Sequence, residues 1–258
     1  MNNVQHFKPV MTHFPANKYR GFIQHCLDND LEKVKDCLSS GVDVNTVSED
    51  GRWSGLTIAA YYNFPGLELI EILLAHPDIK VNNTTRYESR QLTPLVIACQ
   101  RGNSAIVSRL VQVPGLDINH QNVGIGPGDL CGGATPLYWA LMAKCSDIVN
   151  ILVKQPKINY NLKTEVGETL AQAAVRAGNV RCVETLIAQE SFDSWNVPDW
   201  RGDTPIMIAL KESRTEFVKI LANCPRVDLS CRDEGGWSLV FRAIQKNKLG
   251  EKMSKIIT

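Results

Sequence analysis

Residues Gln91–Asn119, QLTPLVIACQRGNSAIVSRLVQVPGLDIN, decide how the chain folds. They predict a turn, a short helix, a tight reversal, a second helix and a closing loop. Thr93-Pro94 opens the first helix. Thr is a preferred N-cap, and Pro at the first helical position lacks only an N–H that has no helical partner anyway. Leu95, Ala98 and Cys99 share one face of that helix. Gly102 ends it, because glycine adopts the left-handed conformation without steric penalty. Ile106, Val107, Leu110 and Val111 give the second helix its apolar stripe. Neither helix is long enough to be stable alone in water, so the unit must stack on others.

Copies are present on both sides. The Thr-Pro position recurs at Ser54, Thr93, Thr135, Thr169, Thr204 and Ser238, with spacings of 39, 42, 34, 35 and 34 residues. Behind it come the apolar strings LTIAA, LVIAC, LYWAL, AQAAV, IMIAL and VFRAI. The second stripe recurs as LIEILL, IVSRLV, IVNILV, VETLI and FVKIL, and closing loops end at Asn45, Asn82, Asn119 and Asn159. The series degenerates to Val227-Asp228 near the end.

Thr-Pro-Leu, paired short helices, a terminal Asn and a period near 33 residues together resemble the ankyrin repeat. The resemblance covers roughly residues 17–248. It implies an all-α solenoid of stacked helix-turn-helix units with short β-hairpin loop tips. Residues 1–16 are expected to form an N-terminal tail. The repeat domain is expected to span 17–258, with a capping unit over 17–49, repeats starting near 50, 88, 130, 164 and 199, and a C-terminal cap from 233.

Length and charge agree. A chain of 258 residues strains a single globular core, whereas a solenoid grows linearly. Net charge is +1, so no overall field favours nucleic acid or an anionic membrane, and no apolar run approaches the roughly 18 residues of a membrane span. The eight cysteines fall at 26, 37, 99, 131, 145, 182, 224 and 231 without disulfide-framework spacing. Cys26, Cys99 and Cys182 occupy apolar helix positions, where a thiol acts as a small hydrophobe. A reducing compartment, cytoplasm or nucleus, is expected, and so is a monomer.

Three connections are longer than the rest, one of them Asn83–Leu92. Tyr61–Gly66, YYNFPG, separates the helices of the second unit. His120–Ala134, HQNVGIGPGDLCGGA, holds five glycines. Its composition predicts a mobile insertion that folding can dispense with. Gly124–Gly128 lacks the preceding strand and the Gly-Lys-Ser/Thr ending of a phosphate loop. The cysteines and histidines show no zinc spacing. No catalytic residue, cofactor or metal is expected.

The resemblance points instead to binding of a partner protein or peptide. Proteins of this kind use the loop tips before Thr-Pro and the exposed ends of the first helices, which line a concave groove. The tip positions here are Trp53, Arg90, Leu92, Trp200, Arg201, Asp203 and Trp237; the helix-end positions are Tyr61, Tyr62, Gln100, Arg101, Met142, Arg176, Lys211 and Glu212. Trp, Tyr and Arg dominate interface energies, and together these residues favour a partner with acidic and apolar groups. Trp139 and Phe241, inside first helices, are expected in the core. Two other readings stay open. Asn45 and Asn119 sit where the resemblance places sites of asparaginyl hydroxylation, which would make the chain a substrate or regulatory subunit of such an enzyme. An enzyme whose groups meet only in space is the remoter alternative.

Overall fold

A computed structural model of the chain describes residues 20–245, except 63, 88, 89, 125–128 and 130. The expected N-terminal tail, and a second helix expected over 249–257, lie outside the described residues. The first helices are α1 (Arg20–Leu27), α3 (Gly55–Tyr61), α5 (Pro94–Arg101), α7 (Pro136–Met142), α9 (Leu170–Ala177), α11 (Pro205–Lys211) and α13 (Leu239–Gln245). The second helices are α2 (Leu31–Ser39), α4 (Glu68–Leu74), α6 (Ser104–Leu110), α8 (Ser146–Val153), α10 (Val180–Ile187) and α12 (Thr215–Ala222). A single two-stranded antiparallel sheet, β1 (Thr85–Tyr87) with β2 (Arg90–Leu92), forms one loop tip among the described residues. Bridges Val47–Ser54, Gln91–Val123 and Arg232–Ser238 extend the hairpin theme to other tips.

The caps explain where the first helices start. Thr93 Oγ1 accepts from Val96 N, Thr135 from Tyr138 N, Thr169 from Gln172 N, Ser54 from Thr57 N and Ser238 from Phe241 N, at 3.2–3.3 Å. Thr204 departs from the series, its hydroxyl turning to Cys231 Sγ at 3.4 Å. Most first helices end at one left-handed residue, namely Asn29, Gly102, Lys144, Gly178 or Ser213. The second unit differs. There Tyr62 is extended at φ −86°, ψ 134°, and the chain runs on to a left-handed Gly66 before α4 begins.

Consecutive first helices pack on one another from α1 to α13, forming one row, and the second helices form another behind it. A first helix is therefore enclosed by two neighbours and by its own partner helix. That is why α5, α7 and α11 are buried nearly all round, as from Leu95 to Cys99. Leu110, on the second-helix stripe, is fully buried. The second row is loosest between α4 and α6, where the longer YYNFPG connection enters. Trp139 is buried as expected, but Phe241 is only half-buried, stacked on exposed Trp237 with centroids 4.0 Å apart.

The insertion does not fit the expectation of a mobile, dispensable loop. Its base is built into the body. Asn122 is 1% exposed; its Oδ1 accepts from Trp139 Nε1 at 3.1 Å and its Nδ2 donates to Cys131 O at 2.9 Å. Arg90 grips Asp129 with two bonds, Nε to Oδ2 at 3.0 Å and Nη2 to Oδ1 at 2.9 Å. Gln121 Nε2 donates to Gly133 O and to Lys163 O of the next unit, each at 2.8 Å. At Gly133, φ is +73° and a Cβ would sit 3.0 Å from Glu165 N, so glycine there serves a close backbone approach. Glycine content alone overstated the freedom of this loop.

Candidate binding groove

The candidate contact residues do not share one environment. Leu92 is corrected outright. It is 1% exposed, because β2 alternates sides and Leu92 points inward where Gln91 points out. Arg90 is held by Asp129 and lies 6.0 Å from the Trp139 ring, so it fastens the insertion rather than offering a charge to a partner. Gln100 is half-buried, with its carbonyl oxygen enclosed and unpartnered among the described residues. Met142 is 39% exposed at the end of α7.

Toward the C-terminus the helix-end cations meet carboxylates supplied by the tips. Arg176 Nη2 donates to Asp199 Oδ2 at 2.8 Å, and its Nη1 lies 3.4 Å from Glu168 Oε1. Lys211 Nζ donates to Asp203 Oδ2 at 2.7 Å and stands 3.8 Å from Asp233. Arg242 Nε reaches Asp233 Oδ2 at 2.6 Å, and Glu212 holds Arg214. Asp199 and Asp233 also accept backbone N–H groups of their own turns, Arg201 and Asp203 at the first, Gly235 and Trp237 at the second. Burial pushes the Glu168 carboxyl up, opposed by the Tyr138 hydroxyl that donates to it at 2.9 Å and by Arg176. The helix-end cations of this half are thus matched within the chain, which weakens there the expected preference for an acidic partner.

At the N-terminal end the row is aromatic. Trp53 meets Tyr61 edge-on at 5.0 Å and Tyr62 at 6.0 Å, Tyr61 meets Tyr62 at 4.9 Å, and Tyr62 stacks on Phe64 at 5.6 Å. The Arg101 guanidinium, from the next unit, lies over the Tyr61 ring at 4.4 Å. The extended Tyr62 helps to build this group: the helix end does not fold back at once, and Tyr62 and Phe64 stay on the surface, both half-buried. Burial, then the adjacent Tyr61 phenol, push the Tyr62 hydroxyl above its ordinary value against the influence of Arg101, so it stays neutral. Two depressions adjoin the cluster. One, about 390 Å³, is lined by Tyr61, Tyr62 and the turn Arg101–Ala105. The other, about 200 Å³, is apolar, with Tyr62, Phe64, Leu67, Ile70 and Ile106 among its walls. Phe64 was not singled out from sequence. Its signal was the lengthened connection. Farther along, Trp200 is 72% exposed with the Arg201 guanidinium 4.3 Å over its ring.

The loop asparagines have a structural occupation. Asn45 Nδ2 donates to Asp78 O and its Oδ1 accepts from Lys80 N, both at 2.8 Å. Asn119 does the same to Lys157 O and Asn159 N, and Asn82 to Gly115 O and Asp117 N. Asn196, missed in the sequence because it follows Trp195 rather than Val or Ile, bridges to Arg226 O and Asp228 N. Four closing loops are thereby stapled to the next. Asn159 instead uses Oδ1 for Asn161 N, and Tyr160 packs edge-on against Phe192 in that step.

The eight cysteines are free thiols. Burial pushes Cys26 up to about 12 and Cys182 up to about 11, and raises Cys131 and Cys231 as well. These four are the opposite of activated nucleophiles. Among the described residues no group of His, Cys, Asp and Glu is arranged to hold a metal ion, and no helix is long and apolar enough to cross a membrane.

The family model for ankyrin repeats in three copies matches residues 22–122, 56–164 and 157–233. The ankyrin repeat protein YahD of Escherichia coli (strain K12) is 26% identical over 195 residues, which cover 62% of this chain and 90% of the relative. Repeats of this type are generally protein-interaction modules, and their families are usually non-enzymatic. With matched repeats, capped paired helices and stapled loops running through most of its length, the chain belongs to the ankyrin-repeat family.

Proposed function

We propose that this chain is a non-enzymatic scaffold that binds a segment of a partner protein along the face formed by its loop tips and first helices, anchored at Trp53, Tyr61, Tyr62 and Arg101. The observation that carries the reading is the surface aromatic cluster of the second unit, flanked by two open depressions. Most of the candidate cations toward the C-terminus, and Arg90, are bonded to carboxylates of the chain: Arg90 with Asp129, Arg176 with Asp199, Lys211 with Asp203. Aromatic side chains give large contact area at low entropic cost, which is why they act as anchors in interfaces. Trp200 and Arg201 are a second, smaller contact point, four units along.

The experiment is capture of partners from native cells, followed by affinity measurement on the captured protein. Trp53→Ala with Tyr62→Ala should weaken binding by about 2 kcal/mol or more while leaving the fold intact by circular dichroism. The control pair Lys154→Ala with Lys219→Ala, exposed on second helices, should leave affinity unchanged. The opposite pattern would place the interface on the outer row.

A further inference from the structure

The helix-end cation of the aromatic end differs from the helix-end cations of the C-terminal half. Arg176, Lys211 and Arg242 each contact a carboxylate, as does Arg90 in the insertion. Among the described residues no carboxylate contacts Arg101; its recorded partner is the face of Tyr61 at 4.4 Å, and its side chain is exposed. A guanidinium held over a ring face has N–H groups left to meet a carboxylate. It is oriented, partly desolvated, and matched to a carboxylate by two parallel hydrogen bonds. The apolar depression adjoins it across Tyr62, with Phe64, Leu67, Ile70 and Ile106 around it.

We infer that this site recognises a peptide segment carrying an acidic side chain beside a bulky apolar one, the carboxylate bonded by Arg101 and the apolar group seated between α4 and α6. The inference rests on the groove-binding reading and deepens it. Charge complementarity fixes the ligand's sign, and the single guanidinium fixes its valence. Phosphorylated motifs are typically held by clusters of arginines, and Arg109, on α6, is already taken by Glu71 at 2.6 Å. One stacked guanidinium suits one carboxylate. The turn explains why only the second unit offers such a site. Of the first-helix C-caps Tyr62, Gly102, Ala143, Gly178 and Glu212, only Tyr62 is extended.

The test is selection of a display library of random peptides against the full chain, followed by affinities for synthetic copies of the selected peptides. Sequences pairing Asp or Glu with Leu, Ile, Phe or Met should be enriched. Arg101→Gln should weaken them roughly ten- to a hundredfold, the range expected for loss of a hydrogen-bonded charge contact. Arg101→Lys should restore only part of it, because an ammonium gives no bidentate bond. Replacing the peptide's acidic residue by its amide should have little further effect on the Arg101→Gln variant. Selected peptides that lose binding on Trp53→Ala and Tyr62→Ala but not on Arg101→Gln would overturn this inference and leave the groove reading standing. Tighter binding when the acidic residue is replaced by phosphoserine would overturn the carboxylate assignment. Absence of enrichment, or peptides insensitive to every groove substitution, would overturn both.

Discussion

Replacing Trp195 with Ala should lower the free energy of unfolding by about 3–5 kcal/mol, the range for a large aromatic removed from a packed core. Trp195 is fully buried in a short 3-10 turn, Ser194–Asn196, between α10 and α11, where it packs against α9 and α11. Its ring meets Phe192 edge-on at 4.9 Å, and Phe192 meets Tyr160 at 5.5 Å, so one aromatic chain joins two successive closing loops. Its indole N–H has no hydrogen-bond partner among the described residues, so its contribution comes from packing. Trp195→Phe, which keeps most of the apolar contact and removes the orphaned donor, should cost less than half as much as Ala. Urea titration followed by circular dichroism measures both. Because each repeat contacts only its neighbours, damage should concentrate in the C-terminal units, seen as faster amide exchange in α9 to α12 than in α3 to α6. An Ala variant as stable as the parent would mean that Trp195 is not a core residue.

Asp129→Ala should cost about 3 kcal/mol, more than its place in a glycine-rich insertion suggests. It removes both acceptors that the two-pronged Arg90 grip uses, in a site where the two side chains are 16% and 5% exposed. Removing one member of a buried ion pair is costly because the other stays desolvated. Asn122→Ala should cost about 1–3 kcal/mol, by leaving the buried Trp139 N–H without its acceptor. Thermal unfolding of both variants is the check. If neither shifts the midpoint, the insertion is as dispensable as its composition suggests.

How much of this was legible before the structure differs from one kind of contact to another. Thr93, Pro94, Gly102 and Leu110 were readable because caps, left-handed stops and helical stripes act within one helical turn. The staples of Asn45 and Asn119 were readable as a recurrence, because identical loops meet identical loops. Arg90–Asp129 was not, since the partners lie 39 residues apart and only the hairpin's register brings them together. Leu92 was misplaced for a local reason: as a residue next to Thr-Pro it reads as tip, but strand alternation turns it inward. Trp195 lies in a polar loop and has no periodic companions to mark it as core. The compensated charges of Arg176 and Lys211 were hidden likewise. Their helix-end positions mark them as exposed, and nothing in a one-dimensional pattern says that Asp199 and Asp203 stand opposite. For the aromatic end, sequence supplied Trp53, Tyr61, Tyr62 and Arg101 as separate candidates. The extended backbone at Tyr62, which gathers them with Phe64, is a conformation that no residue in YYNFPG dictates alone.

The central claim, that a partner segment lies on the aromatic end of the groove, is tested most directly by amide hydrogen exchange of the chain with and without its captured partner. Protection should appear over residues 53–62 and over the turn 101–106, with a weaker patch near Trp200 and Arg201, while α8 and α12 exchange unchanged. Protection confined to α8 and α12, around Lys154 and Lys219, with the 53–62 segment unaffected, would contradict it.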